Sequence, residues 1–132
     1  MSSKTMNILL WIAQGLLGAL FIMVGLMKTF QPIEEIAKSL PWVAEYSSSL
    51  VRFIGISELL GGIGLLLPSI LKVQPKLTVW AAYGLTLVMI LAAIFHISRG
   101  EYSGVIANLI IGLVAAFIAW GRSKKVIILP KS

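Results

Sequence analysis

Cysteine is absent from the 132-residue chain. Disulfides, thiolate metal sites, CxxC exchange and thiol catalysis are thereby excluded, so any redox role must use a bound cofactor or a partner protein. Charge is scarce too: 12% of residues are charged and 58% are hydrophobic. A soluble domain normally carries about a quarter charged residues, so this chain reads as an integral membrane protein. One histidine and five acidic residues form no cluster with the spacing of a classical metal site, and no metal is expected. Ser/Gly/Pro-rich linkers and low-complexity tracts are also missing, which leaves a single domain over residues 1–132.

What remains is dominated by four apolar stretches, at about residues 7–28, 50–71, 77–98 and 103–121. Each can span a hydrocarbon core of about 30 Å, which takes about 20 helical residues. Isolated strands would leave backbone groups unpaired in lipid, so all four are expected as helices. The predicted fold is all-α: a polytopic membrane protein built as a four-transmembrane-helix bundle. The first stretch begins like a signal peptide, with Lys4 ahead of an apolar core. That core exceeds the usual length of about 7–15 residues, and Lys28 stands where a small-x-small cleavage site would lie, so the segment is read as retained.

Charge sets the expected orientation. The N-terminus, the turn from Lys72 to Lys76 and the C-terminal tail carry Lys4, Lys72, Lys76, Arg122, Lys124, Lys125 and Lys131 with no acid. The opposite side holds Glu34, Glu35, Glu45 and Glu101, offset by Lys28, Lys38 and Arg99. Positive residues mark the cytoplasm, so both termini are expected there. Trp11, Trp80 and Trp120 near the inner ends, with Trp42, Tyr46 and Tyr102 near the outer boundary, fit the same topology. The net charge of +6 follows from this asymmetry and gives no reason to expect nucleic acid as a partner. Beyond orientation, the GRSKK tail adds weak attraction to anionic headgroups, about 1 kcal/mol per basic residue near the surface.

The longest connection contains Ile33, Ile36, Ala37 and Leu40 on one stripe beside Glu34, Glu35 and Lys38. It predicts a short interfacial helix over about 32–41, with Pro32 in its first turn and Pro41 ending or kinking it. Such a helix either lies on the headgroups as a connector or caps the bundle as a lid.

Glu58 is the most telling residue, because it interrupts the apolar run FIGISELLGGIGLLLP. An ionised acid at the centre of an inserting helix costs about 2.5–3.5 kcal/mol even on the lower scales. Counting inward at 1.5 Å per residue puts Glu58 about 8–12 Å below the outer boundary. Helical side chains lean toward their own N-terminus, so Glu58 leans outward while Lys28 and His96, on ascending helices, lean inward to meet it. Asn108 arrives on the last helix at similar depth. Arg52 lies about 120° around the helix from Glu58 and is expected at the headgroups or outer loops more than in the cluster. A pocket ringed by Glu58, Lys28, His96, Asn108 and, at its margin, Arg52 would suit a polar headgroup, a quinone oxygen or an anion, or would relay protons. The plainer use is a Glu58–Lys28 or Glu58–His96 pair that fastens helices together.

Gly55, Glu58 and Gly62 share one helix face with little bulk beside the carboxylate. Ser57-x-x-x-Gly61 and Gly112-x-x-x-Ala116 add small-residue spacings that serve packing within the bundle or a homo-oligomer seam. Gln14 is expected to hydrogen-bond a neighbour too deep for the outer cluster, and Pro68 to stop the second helix.

FIMVGLMKTF at the end of the first helix, FIGISELLGGIGLLLP in the second and HISRGE after the third occur in one order along the chain. This series, Gly-x-x-Lys, Glu-Leu-Leu-Gly and His-x-x-x-Gly-Glu, resembles the DoxX-like family over nearly the whole chain. The resemblance implies a four-helix membrane fold and carries interest onto Lys28, Glu58 and His96. It also implies association with membrane oxidoreductase systems, some quinone-linked, while a distant branch acts in receptor assembly. The expectation drawn from it is a bacterial plasma-membrane protein whose Glu58 pocket binds quinone or a similar amphipath and serves a redox partner, with Glu58 moving a proton under the influence of Lys28 and His96. A non-enzymatic scaffold or chaperone for membrane helices is the alternative, and small-solute transport ranks last because four helices leave little room for a path.

Overall fold

The computed structural model describes residues 2–131. Its α-helices are α1 Ser3–Phe30, α2 Ile33–Ser39, α3 Ser48–Leu71, α4 Lys76–Ser98 and α5 Tyr102–Trp120. A 3-10 turn at Pro41–Glu45 joins α2 to α3, and a π-helical turn at Gly121–Lys125 ends α5. The described residues contain no strand, and α1, α3, α4 and α5 with its π turn are long and apolar enough to cross a bilayer. The four spans and the short helix between the first two lie where the hydropathy pattern puts them.

Local chemistry fixes the ends. Ser2 caps α1 by accepting from the Thr5 N–H at 3.1 Å, and Ser47 caps α3 by accepting from the Leu50 N–H at 3.2 Å. The tight α3–α4 turn passes through Lys72 at φ 55° and Gln74 at φ 48°. Pro68 does not stop α3, which runs on to Leu71. A proline inside a helix frees the carbonyl one turn earlier, here that of Gly64. The Thr78 hydroxyl of α4 donates to that carbonyl at 2.9 Å and shares a 2.7 Å hydrogen bond with Ser69. A neighbouring helix thus satisfies the group that proline orphans, which is how membrane helices tolerate proline.

The helices close into a ring in the order α1, α3, α4, α5, with α1·α3 and α4·α5 the most extensive contacts. Leu17, Phe21, Leu65, Leu85, Met89 and Ile118 fill the centre, while Leu16, Leu87, Ile110 and Leu113 face outward, as lipid exposure requires. Glycines bring α1 and α3 into backbone contact. A Cβ at Gly25 would lie 2.8 Å from the Gly55 carbonyl oxygen, and one at Gly62 would lie 2.9 Å from that of Gly18. The other small-residue spacings are also used inside the chain: Gly61 meets Leu85, and Gly112 meets Met89.

One end of the bundle carries both termini and the α3–α4 turn; the other carries α2, the 3-10 turn and the α4–α5 turn. At this second end, Ile36 and Val43 are fully buried with Val51, against Met27 and Leu40. The connection therefore packs down on the bundle as a cap.

Candidate functional site

Beneath that cap, Lys28 of α1 and Glu58 of α3 form a buried ion pair, Nζ to Oε1 2.7 Å, with residue exposures of 8% and 5%. Gly55 makes it possible, because a Cβ there would lie 2.7 Å from the Lys28 Cβ. Only glycine lets α1 approach closely enough for a lysine to reach across the interface at that height. The Lys28 ammonium also lies 5.7 Å from the centre of the Trp42 ring.

The pair borders a cavity of about 580 Å³ that lies between α3 and α4 and reaches α1 and α5. Packing explains its position. On the half nearer their turn, α3 and α4 are locked by Gly61 against Leu85, Gly64 against Ala81 and the Ser69–Thr78 bond. On the other half Phe53, Ser57, Leu91 and Phe95 line a gap instead of filling it. Phe53 and Leu91 are exposed on the outer surface of the bundle, so the cavity opens sideways toward lipid. Its top is closed by Trp42, Tyr46 and Phe95, packed edge-to-face with centroids 5.6–6.2 Å apart.

Polar groups are few and specific. Asn108 lines the cavity, and its Nδ2 is buried without a hydrogen-bond partner among the described residues. His96 lines it too, but its Nδ1 lies 2.9 Å from Glu101 Oε1, so the Glu58–His96 pairing gives way to a local one. The reason is the turn: Gly100 at φ 73° reverses the chain so that the Glu101 N–H reaches the His96 carbonyl at 2.9 Å. A neutral ring that donates from Nδ1 to Glu101 keeps Nε2 as an acceptor. Arg52 stands outside the cavity. Its Nη1 donates to the carbonyls of Lys28 at 3.0 Å and Gln31 at 2.6 Å, capping the end of α1 where a cation complements the helix dipole. Glu58, Lys28, His96 and Asn108 thus line one cavity from four helices, while Arg52 holds the helix that delivers Lys28.

Sequence reasoning missed the aromatic roof and the ionic latch that secures it. Arg99 pairs with Glu45 of the 3-10 turn and, at 3.0 Å, with Glu101. The hydrogen bond from His96 outweighs desolvation and, with Arg99, holds the Glu101 carboxyl below the ordinary glutamate value. A folded-state pKa below the unfolded one stabilises above the unfolded value and loses that contribution as pH falls through the folded value. Acidification below the ordinary glutamate range should therefore loosen this corner before the spans. Amide exchange at Glu101, corrected for intrinsic rate, should rise there while that of Leu65 stays constant; equal behaviour of the two would contradict the assignment.

The HISRGE segment thus acts as a turn that seats a histidine in the cavity lining, and residues 12–118, which include it, match the DoxX-like family. The chain belongs to the DoxX-like family. As a member of that family with four apolar spans, it is a multi-pass membrane protein. No curated protein and no solved structure shows a significant match to it. In this DoxX-like chain the three motifs meet in space: Gly25 of the first lets α1 close on α3, Lys28 of the first and Glu58 of the second pair beside the cavity, and His96 of the third lines it.

Proposed function

We propose that this DoxX-like protein binds a quinone, or an amphipath of the same shape and polarity, in the lateral cavity and presents it to a membrane oxidoreductase partner. The unpartnered Asn108 amide carries this reading. A buried donor without an acceptor is costly, and a ligand carbonyl would satisfy it. The volume of about 580 Å³ lies in the range of small-molecule sites, about 300–1,000 Å³. Lys28 offers a second donor and His96 Nε2 an acceptor, which suits a head group that alternates between carbonyl and hydroxyl. Phe53, Phe95 and Trp42 supply flat apolar walls, and the opening toward lipid admits a long hydrocarbon tail. A bound quinone would supply reversible electron and proton chemistry, for which a chain without cysteine depends on its ligand and partner. Its own side chains orient the head group, shield it from water beneath the Trp42–Tyr46–Phe95 roof and keep the Lys28–Glu58 charges beside it.

The same reading places the protein in a bacterial plasma membrane with its basic, terminus-bearing end in the cytoplasm. Transport through one chain has less support, because Leu17, Phe21, Leu65 and Ile118 plug the bundle below the cavity.

Purification in mild detergent followed by organic extraction and mass spectrometry tests the proposal. Stoichiometric quinone is expected in the wild-type extract. Asn108→Leu should weaken its retention about two- to tenfold, the worth of one hydrogen bond, with folding unimpaired because a buried unsatisfied donor is removed. A folded wild-type protein that neither carries quinone nor takes up added ubiquinone or menaquinone would refute the reading.

A further inference from the structure

At the terminus-bearing end of the bundle, far from the Lys28–Glu58 cavity, Arg122 is 3% exposed. Its Nε donates to Gln14 Oε1 at 2.7 Å, and its Nη1 donates to Asn7 Oδ1 at 2.8 Å and to the Val126 carbonyl at 3.1 Å. The guanidinium carbon lies 5.1 Å from the Trp11 ring centre. These neutral partners orient the group without compensating its charge. None of the five acidic side chains is available to it: Glu58 is held by Lys28, and Glu34, Glu35, Glu45 and Glu101 belong to the opposite end. Arg122 Nη2 is buried and has no hydrogen-bond partner among the described residues. A buried cation without a counter-charge is strongly disfavoured, and among the described residues none supplies one, so this group is suited to receive an anion.

The adjoining cavity is built to accept one. About 280 Å³ in volume, it is lined by Arg122, Lys76 and Ser123 on its polar side and by Val79, Trp80 and Ile127 on its apolar side. The C-terminal tail folds back as a wall, with the Val126 N–H on the Gly121 carbonyl at 2.7 Å and the Lys131 N–H on the Lys72 carbonyl at 2.9 Å. Lys76 is exposed, and the flexible four-carbon stem of a lysine lets its ammonium reach a bound anion, whereas Arg122 is held by its hydrogen bonds. Trp80, at the end of a span, is the residue type that sits at headgroup level.

We propose that this cavity is a phosphate-ester site, with Arg122 Nη2 and Lys76 Nζ holding the phosphate and Val79, Trp80 and Ile127 contacting the adjoining hydrocarbon. An anionic phospholipid of the leaflet at this end supplies both parts, and basic pockets between membrane helices bind such headgroups. Free phosphate would use the same two cations without the apolar wall. The site is independent of the quinone reading, since it shares no residue with that cavity.

The test is thermal unfolding of purified protein in phosphatidylcholine-containing mixed micelles, titrated with phosphatidylglycerol or with inorganic phosphate. A ligand that binds only the folded state raises the unfolding temperature, with a stabilisation of RT ln(1 + [L]/Kd) from which the apparent affinity is read. Phosphatidylglycerol should stabilise the wild type, and Lys76→Gln should weaken its apparent affinity about fivefold, as expected for one basic residue near the surface. In salt high enough to screen diffuse attraction by exposed charge, Lys124→Gln/Lys125→Gln, which removes exposed charge outside the cavity, should leave the affinity unchanged. Arg122→Gln should abolish the response. Because Arg122 also anchors Gln14 and Asn7, the exposed Lys76 is the deciding variant if Arg122→Gln fails to fold. Stabilisation by inorganic phosphate that competes with the lipid would support the phosphate site and make free phosphate its source. No response to either probe would overturn the proposal, as would a loss in Lys124→Gln/Lys125→Gln equal to that in Lys76→Gln.

Discussion

Lys28→Met is expected to destabilise the bundle by about 3–5 kcal/mol, the cost of stranding a buried charge when its partner is removed. Glu58 is 5% exposed, and Lys28 is its ion-pair partner at 2.7 Å. With lysine gone, the carboxylate keeps its desolvation and loses its compensation. Glu58→Leu strands the ammonium in the same way. The double variant Lys28→Met/Glu58→Leu behaves differently, because replacing a whole buried pair with apolar groups of similar volume is often neutral or stabilising. Denaturant-driven unfolding in mixed micelles should therefore give two damaged single variants and a double variant close to wild type. Additive losses would show that the two residues act separately. The double variant also separates the uses of the pair. Folded but unable to retain quinone, it would mark the charges as part of the ligand site; folded and still loaded, it would reduce them to a fastening.

Much of this arrangement is legible in the chain, and the parts that are not fail for identifiable reasons. Hydropathy sets the four spans because lipid demands long, apolar, internally hydrogen-bonded segments. The tilt of helical side chains toward their N-termini is enough to bring Lys28 up to Glu58 across two antiparallel helices. His96 turns to Glu101 instead, because a glycine turn five residues long offers a carboxylate at lower conformational cost than a partner on another helix. Pro68 is a stop by local rules, yet its orphaned carbonyl is satisfied from α4, a long-range compensation invisible in the α3 sequence. Arg122 reads as one basic residue of a GRSKK tail; only the three-dimensional closure of α1 on the π turn shows it buried between Gln14 and Asn7. The aromatic roof is equally hidden, since Trp42 and Tyr46 have the composition of an ordinary interfacial belt and meet Phe95 only once the 3-10 turn is packed on the bundle and tied to Arg99 by Glu45.

Gly55→Ala and Gly84→Ala should change stability in opposite directions, although each adds one methyl group to a membrane helix. A Cβ at Gly84 meets nothing within 4 Å, so alanine there keeps the packing and gains helix propensity, about 0.5–1 kcal/mol. At Gly55 the added carbon would lie 2.7 Å from the Lys28 Cβ and 2.8 Å from the Thr29 nitrogen. The Thr29 nitrogen is backbone and cannot rotate away, so α1 and α3 must separate. Overpacking of this kind costs about 1–3 kcal/mol, and the upper part of that range is expected where two backbones are forced apart. The displacement falls at the height of the ion pair. Moving α1 outward lengthens the 2.7 Å Lys28–Glu58 contact and withdraws the ammonium from the cavity, so quinone retention should fall along with stability. Unfolding curves of the two variants, measured beside their extracted quinone content, test both consequences. Equal stabilities would mean that the α1–α3 interface does not need its glycines. A destabilised Gly55→Ala that still carries its full complement of quinone would instead separate the interface from the site.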